Sequence, residues 1–331
     1  AEIKRAAAAP AATFIDPADA PAQRYAPRVG LTLAFGAALG LAAGLFGAFG
    51  RERLRGALHT DKALEQTTGL PILATVPDFR RGRARVPGAP KEFIAMRDAP
   101  HGPVAEAYRS LRANLRFAAG ENRPLKTLAV TSCAPGEGKS TTNVDLAWAF
   151  ATGGRRVLLV DADMRRPSVH RYLGRAAGPG LAEALSTPVD WRGLVAPTGN
   201  PDLSVLMAGR LEGGAGEALT GPRASQLIRE LEAAYDLVVF DLPPALVVAD
   251  VESFAHSLDA IVLLYRCGGL PAPAVETACV RLRQSGANLV GAVMNAYRHE
   301  RRGGGYYGAY GGYGKNAYYL EASKAAGRAA S

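Results

Sequence analysis

The sequence is poor in the residues that build disulfide frameworks and metal centres. Its 331 residues include only three cysteines, Cys133, Cys267 and Cys279, which form no CxxC pair. So few, unpaired cysteines exclude a disulfide-stabilised secreted fold and are typical of a reducing cytoplasm. The five histidines are scattered, with none at metal-ligand spacing from another. The histidines therefore predict no metal centre.

Length and composition allow one large α/β domain with additions. Apolar residues make up 48% of the chain, which is enough for a hydrophobic core. The net charge is +9, and a basic protein can bind nucleic acid or an anionic membrane surface. The basic residues concentrate beside an apolar segment, so we expect a membrane partner and no nucleic acid.

A glycine-rich loop predicts a nucleotide phosphate site. Thr131–Thr142 reads TSCAPGEGKSTT, between a predicted strand and a predicted helix. Backbone N–H groups of such a loop bind phosphate oxygens, the lysine contacts the outer phosphates, and the serine hydroxyl ligates Mg²⁺. The expected nucleotide contacts are Gly136, Glu137, Gly138, Lys139, Ser140 and Thr141. The alternative is a glycine-rich turn that caps a helix, and we give it less weight because PGEGKST is a fairly specific pattern.

Two aspartate motifs follow the loop. The first is VLLVDADMRRP (Val157–Pro167), and the second is LVVFDLPP (Leu237–Pro244). In each, four apolar residues precede an aspartate, as when a buried strand delivers a carboxylate to the carboxyl edge of a sheet. The carboxylates are those of Asp161, Asp163 and Asp241. Together with the loop, they predict a site for ATP and Mg²⁺.

An uncharged apolar segment predicts a membrane helix. Val29–Gly50 holds 22 residues without a charge, and as a helix it is about 33 Å long, which matches the hydrocarbon core of a bilayer. A buried core helix is the alternative, and the segment is too long for a signal peptide. Gly36, Gly40 and Gly44 recur at every fourth position and would let another helix approach closely.

Basic residues give the orientation of this helix. They follow the apolar segment at Arg51, Arg53, Arg55, Lys62, Arg80, Arg81, Arg83 and Arg85. Positive charge stays on the cytoplasmic side, where ATP is also found. We therefore expect residues 1–28, rich in alanine and proline, to lie outside as a stalk remnant, and residues 51–100 to form a cytoplasmic linker. The chain does not begin with Met, so we expect a longer protein with another membrane segment.

Apolar, β-rich runs alternate with helical patterns in residues 101–297. The predicted strands are Thr127–Ser132, Val157–Asp161, Leu203–Met207, Leu237–Asp241, Ala260–Tyr265 and Leu289–Asn295, with a short one in Gly69–Pro77. The predicted helices are Pro103–Phe117, Ser140–Ala151, Gly180–Ser186, Arg223–Ala234 and Ala272–Ser285. This alternation predicts an α/β fold, a P-loop NTPase with a mostly parallel sheet flanked by helices.

The tail, residues 298–331, is rich in tyrosine and glycine. Six of the chain's twelve tyrosines fall within fourteen residues, at Tyr306, Tyr307, Tyr310, Tyr313, Tyr318 and Tyr319. The glycines between them disfavour a stable helix or strand, and such a tail cannot bury enough surface to order itself. It is either a low-complexity aromatic tail or a row of accessible phenols that receive phosphoryl groups.

This combination resembles the bacterial tyrosine kinases of the capsular and exopolysaccharide co-polymerase family. PGEGKST is similar to the Walker A loop of that family, VDADMR to its second motif and VVFDLPP to its Walker B motif. Glu106, Arg109 and Arg112 match its E-x-x-R-x-x-R helix, which implies a ring of subunits. GAVMN matches as well and implies that Asn295 contacts the nucleotide. EGGAGEAL stands where the family has a proline-rich segment, and the periplasmic domain and first membrane helix of the family are absent.

The resemblance implies an ATP-dependent tyrosine autokinase at the bacterial inner membrane. Lys139 and Mg²⁺ would neutralise phosphate charge, and Ser140, Asp163 and Asp241 would hold the metal. The resemblance favours Asp161 as the base, although the residues leave open which of Asp161 and Asp163 has that role. It also implies trans-phosphorylation of the tail, a polysaccharide polymerisation and export machinery as partner, and a tyrosine phosphatase.

Two other functions fit part of the pattern. A partition or division-site ATPase shares the fold, but it carries a second lysine where this chain has Ala134, and it lacks a tyrosine tail. A non-catalytic co-polymerase subunit would use ATP only for assembly. The intact set of Lys139, Ser140 and the aspartates favours catalysis.

Overall fold

A computed structural model of the chain describes residues 29–78, 93–118, 124–210, 219, 221–247 and 254–297. The chain divides into two units, Ala1–Leu54 and Arg55–Ser331. In the first unit the described part is a single long helix. In the second it is a layered α/β domain.

Helices and strands alternate along most of the described chain. In sequence order they are α1 (Val29–Arg55), α2 (Asp61–Thr68), β1 (Ile72–Pro77), α3 (Ala95–Asp98), α4 (Pro103–Ala118), β2 (Thr127–Ser132), α5 (Lys139–Thr152), β3 (Val157–Asp161), α6 (Val169–Tyr172), α7 (Leu181–Ser186), a 3₁₀ turn (Trp191–Leu194), β4 (Val195–Pro197), β5 (Leu203–Leu206), α8 (Pro222–Ala234), β6 (Leu237–Asp241), β7 (Ala260–Arg266), α9 (Ala272–Gln284) and β8 (Leu289–Tyr297).

Helix α1 is long and apolar enough to cross a membrane over residues Gly30–Gly50. Every side chain in that stretch is exposed, which is the opposite of what a core helix of a soluble domain shows. The helix continues beyond the predicted Val29–Gly50 to Arg55. Its C-terminal end therefore includes Arg51, Arg53 and Arg55, three of the basic residues that we expect on the cytoplasmic side.

The strands form one eight-stranded sheet in the order β1-β8-β7-β2-β6-β3-β5-β4. All neighbours are parallel except β4 and β5, which are antiparallel. The predicted fold, a mostly parallel sheet flanked by helices, is confirmed. The antiparallel edge strand β4 was not predicted, because its three half-buried or exposed residues carry little pattern.

Two hydrophobic layers cover the sheet. One contains the apolar stripe of α4, where Tyr108, Leu111 and Leu115 are spaced to lie on one helix face, together with most of α5. The other contains α2, α8 and α9. Neighbouring residues of β2 face opposite layers, with Leu128 in the first and Ala129 in the second. Both faces of the central strands are therefore buried, which explains why these strands are continuous apolar runs.

Part of the predicted linker, residues 51–100, belongs to the α/β domain in the structure. Strand β1 pairs with β8 at the edge of the main sheet, and Leu64 of α2 is completely buried. Residues 56–78 are therefore part of the α/β domain. The domain in the structure begins earlier than the predicted residue 101, because β1 and α2 are short and the partner of β1 is the distant strand β8.

Candidate functional site

The phosphate loop connects β2 to α5 at the carboxyl edge of the sheet. Gly136 and Gly138 have φ values of +79° and +99°, a left-handed conformation that favours glycine. At Gly138 a side chain would also collide with the amide of Asn295. Helix α5 begins at Lys139, so the N–H groups of its first turn have no partner within the helix. The loop therefore has the geometry of an anion site.

Lys139 lies between two carboxylates. Its Nζ atom is 3.0 Å from Oδ2 of Asp163 and 3.4 Å from Oδ1 of Asp241. Only 8% of the lysine is exposed. Burial lowers the pKa of Lys139, but the charges of Asp241 and Asp163 more than offset it, and the net shift is upward. Lys139 is therefore a permanent positive charge at the loop.

Asp241 ends β6 and is completely buried. Its Oδ1 atom accepts a hydrogen bond of 2.8 Å from Nδ2 of Asn143, a residue of α5. Burial raises the pKa of Asp241, and the nearby Lys139 charge and a hydrogen bond from Ser140 work against that rise. The Asp241 carboxylate thus links the end of β6 to the first two turns of α5.

Asp161 stands directly beside Asp241, because the parallel register of β3 and β6 pairs the two residues. Its Oδ2 atom accepts hydrogen bonds of 3.1 Å from the backbone N–H groups of Ser168 and Val169, at the start of α6. Burial, followed by the charge of Asp241, raises the pKa of Asp161 to about 8. The carboxyl group thus titrates near neutral pH.

The polar set fits a hard divalent cation that arrives with a nucleotide. Within the described residues, three buried side-chain oxygens have no hydrogen-bond partner, namely Asn143 Oδ1, Asp161 Oδ1 and Asp241 Oδ2. Oxygen atoms of this kind are the ligands that Mg²⁺ prefers. In the same part of the chain, no group of three or more histidine, cysteine, aspartate or glutamate side chains could hold a metal ion alone. Mg²⁺ usually takes one or two carboxylates and completes its shell with water and substrate phosphates.

The remaining predicted loop residues contact protein. The Thr141 hydroxyl donates a hydrogen bond of 2.9 Å to the Tyr172 hydroxyl of α6. Glu137 and Asn295 are buried and bonded to each other, since the Asn295 amide donates to the Glu137 carbonyl oxygen at 2.7 Å. Asn295 thus lies at the loop as expected, although its amide faces the loop backbone.

Sequence reasoning missed Asn143 and Tyr172. Asn143 follows Lys139 by four residues, and α5 begins at Lys139, one residue before the predicted helix. The two side chains therefore lie on the same helix face, and this spacing could have revealed Asn143. Tyr172 carried no such signal. Its contact with Thr141 depends on how α6 packs beside α5, which no local pattern predicts.

The E-x-x-R-x-x-R residues lie on α4. Arg109 is 3.1 Å from the Glu106 carboxylate on the exposed face and also donates to the Pro100 carbonyl oxygen at 2.6 Å. Arg112 donates to the Ala149 carbonyl oxygen at 2.6 Å. Both arginines therefore have partners within one subunit. The predicted tyrosine acceptors, residues 306–319, lie outside the described residues.

Comparison with known proteins decides the family. Residues 125–268 match the AAA domain family. The chain is 36% identical to the tyrosine-protein kinase YwqD of Bacillus subtilis over 66% of this chain and 92% of that protein. The solved BceF tyrosine kinase domain is 31% identical, with a TM-score of 0.64 over 73% of this chain and all of that domain. This chain belongs to the bacterial tyrosine-kinase family.

The family resemblance read from the motifs is therefore confirmed. The tyrosine-protein kinase Etk of Escherichia coli is a longer relative, 30% identical over 85% of this chain. The chain spans 40% of the length of Etk and 40% of a relative from Ralstonia solanacearum. The phosphate loop and the aspartates Asp161, Asp163 and Asp241 lie inside the matched AAA domain, residues 125–268.

Proposed function

We propose that this member of the bacterial tyrosine-kinase family is an ATP-dependent protein-tyrosine autokinase. We further propose that it is anchored in the bacterial inner membrane, with its α/β domain in the cytoplasm, and regulates polymerisation and export of a capsule or exopolysaccharide. One observation carries the enzymatic part of the proposal. The Lys139 ammonium is held between the Asp163 and Asp241 carboxylates directly behind a preformed phosphate loop.

Positioning and charge neutralisation are the main tasks of such a site, because phosphoryl transfer needs little covalent help from the protein. Lys139 stabilises negative charge on the outer phosphates. Ser140, Asp163 and Asp241 are the residues that would hold Mg²⁺. When bound, Mg²⁺ supplies further charge neutralisation and orients the phosphates. Lys139 has to exchange carboxylates for phosphate oxygens when ATP enters, which leaves both carboxylates available to the metal.

Asp161 fits the role of catalytic base better than Asp163 does. A tyrosine hydroxyl has a pKa of about 10, so a carboxylate close to the attacking oxygen helps to remove its proton. The Oδ1 atom of Asp161 has no hydrogen-bond partner, so it can accept that proton. Asp163, in contrast, contacts Lys139 and is one of the residues that would hold Mg²⁺.

The acceptor in this proposal is the tail of a neighbouring subunit. Six tyrosines lie within residues 306–319, and each added phosphate carries roughly −1.5 to −2 charges at neutral pH. Full modification would offset the net charge of +9. The charge state of the tail would thereby alter both subunit packing in a ring and attraction to the membrane surface. A tyrosine phosphatase would reverse the change.

The direct test incubates the full chain, in detergent or nanodiscs, with ATP and Mg²⁺, and then detects phosphotyrosine by immunoblot. Lys139→Met is expected to lower the rate at least about a hundredfold, because a charge directed at the transferring group is lost. Lys62→Met is the matched control, since Lys62 is exposed on α2 and belongs to neither the loop nor the aspartate motifs. Equal signals from Lys139→Met and the wild type would reject the autokinase.

A mixing experiment tests transfer between subunits. A chain with all six tail tyrosines changed to phenylalanine keeps the loop but has no tail acceptor. Mixed with Lys139→Met, which keeps the acceptors but not the loop lysine, it should restore phosphotyrosine on the Lys139→Met chain. Absence of signal in the mixture, with an active wild type, would contradict trans-phosphorylation of the tail.

A further inference from the structure

Glu137 is a buried acidic residue that has no role in the proposed phosphoryl transfer. It lies inside the phosphate loop, and only 4% of the residue is exposed. Its Oε2 atom accepts a hydrogen bond of 3.0 Å from the Ala134 N–H group, and Oε1 accepts one of 3.4 Å from the Arg266 N–H group. The carboxylate thus ties the beginning of the loop to the end of β7.

Asn295 holds the same stretch from β8. Its Nδ2 atom donates to the Glu137 carbonyl oxygen at 2.7 Å, and its Oδ1 atom accepts from the Ala296 N–H group at 2.8 Å. Ala296 has a φ of +53°, which costs free energy for a residue with a side chain. The backbone of β8 is therefore strained at Ala296, directly after the residue whose amide reaches the loop.

Arg266 completes the set. Its guanidinium donates to the Gly136 carbonyl oxygen at 3.3 Å, and its N–H group bonds Glu137. The carbonyl oxygens of Gly136 and Glu137 are both held from the strand side. We call Glu137, Arg266 and Asn295 the rear clamp.

Holding these carbonyl oxygens sets the direction of the next N–H groups. In a planar trans peptide, the C=O and the following N–H point in opposite directions. The Gly136 carbonyl held by Arg266 therefore directs the Glu137 N–H away from the strands. The Glu137 carbonyl held by Asn295 does the same for the Gly138 N–H. These are the donors that a phosphate loop presents to its ligand.

We propose that Glu137 and Asn295 are positioning residues that preset the loop N–H groups for a nucleoside diphosphate or triphosphate before it binds. They act on the nucleotide through the loop backbone, with the Glu137 carboxylate and the Asn295 amide turned toward protein. The inference rests on the proposed nucleotide site. It differs from the expectation that Asn295 contacts the nucleotide directly.

The chemistry of the clamp explains why a glutamate stands there. Both of its carboxylate oxygens face backbone donors, and a carboxylate has only acceptors. The glutamine side chain in Glu137→Gln has almost the same shape as glutamate. Its NH₂ group, however, would face one of the two backbone N–H groups that now donate to the carboxylate. In Asn295→Asp, a carboxylate oxygen would face the Glu137 carbonyl oxygen. Each isosteric change therefore turns one bond into a repulsion.

The test measures ADP affinity by calorimetry on the full chain in detergent, with Glu137→Gln and Asn295→Asp. Each variant is expected to bind ADP about tenfold more weakly, the equivalent of one hydrogen bond. Two controls lose the same kind of bond elsewhere. Glu183 accepts from the N–H groups of Gly180 and Arg210, and Asn288 donates to the Asp259 carbonyl oxygen. Glu183→Gln and Asn288→Asp should keep the ADP affinity within about twofold.

Hydrogen exchange of residues 134–140 without nucleotide is the second measurement. Faster exchange there in Glu137→Gln and Asn295→Asp, and not in the controls, supports the clamp. Wild-type ADP affinity in both clamp variants, or an equal loss in the controls, overturns it. If Glu137→Gln does not fold, Asn295→Asp decides alone. A wild type that binds ADP without forming phosphotyrosine would refute the autokinase but leave the clamp test valid, whereas a wild type that binds no ADP refutes both.

Discussion

Asp145 ties the segment before α4 to the helix that follows the phosphate loop. It lies on α5, is 1% exposed, and its Oδ1 atom accepts a hydrogen bond of 2.8 Å from the Met96 N–H group. Burial raises the pKa of Asp145 to about 7, whereas an aspartate in the unfolded chain has a pKa of about 4. Between these two pH values, the folded protein keeps a proton that the unfolded chain has lost. A single side chain thus makes stability depend on pH.

Stability should fall as the pH rises from about 4 to about 7. In that window the folded state binds more protons than the unfolded state, so the free energy of unfolding decreases with pH, by at most about 1.4 kcal/mol per pH unit for one group. Asp145→Asn removes the titration and keeps an acceptor for Met96. Thermal unfolding of both proteins from pH 4.5 to 8.5 should show a smaller decline for the variant. Parallel curves would exclude Asp145 as the source.

Arg112 joins helices α4 and α5. The guanidinium donates to the Ala149 carbonyl oxygen near the C-terminus of α5, where a positive charge also interacts favourably with the helix dipole. Gly153 leaves room for it, since a side chain there would meet the guanidinium. Arg112 therefore supports the helix whose other end carries the phosphate loop, in addition to any role in a ring.

Arg112→Ala and Arg109→Ala should behave differently. Arg112→Ala is expected to lower the free energy of unfolding by about 1 to 2 kcal/mol, because it leaves a carbonyl oxygen at the end of α5 without its charged donor. Arg109→Ala removes a half-exposed ion pair with Glu106 and a hydrogen bond to the Pro100 carbonyl oxygen, neither of which is deeply buried, and should cost less, about 0.5 kcal/mol. Denaturant unfolding checks both values. Equal losses would contradict the capping role.

A test of ring formation has to separate the exposed face of α4 from the contact between Arg112 and α5. Arg109→Ala and Glu106→Ala change the exposed face of α4 and leave the α4–α5 contact intact. A change in oligomer size with either variant, measured by size-exclusion chromatography with light scattering, would support the predicted interface. A change seen with Arg112→Ala alone would reflect altered folding.

The whole molecule combines an apolar helix with an α/β domain. We predict that the full chain remains in the membrane fraction in 1 M salt, because Gly30–Gly50 is long enough to span the hydrocarbon core. Deletion of residues 1–55 should release the α/β domain, which forms a unit of its own from Arg55 onward. Fractionation followed by immunoblot checks this. Salt extraction of the full chain would indicate an electrostatic attachment instead.

Local patterns were sufficient for most central elements. Thr127–Ser132, Val157–Asp161 and Leu237–Asp241 are strands with the predicted bounds, because buried parallel strands are short apolar runs that end at polar residues. The edges were harder to predict. Strand β4 is short and half-exposed, and β1 depends on a partner near the end of the domain.

Residue type, spacing and periodicity were enough to predict the family, the α/β class, the membrane-helix candidate and the phosphate loop. The three-dimensional structure was needed to show that Asp161 stands beside Asp241, that Lys139 contacts Asp163 and Asp241, and that Asn295 bonds the loop at Glu137. Strand order and register bring these residues together. Both are set by non-local packing of apolar strands that look alike in sequence.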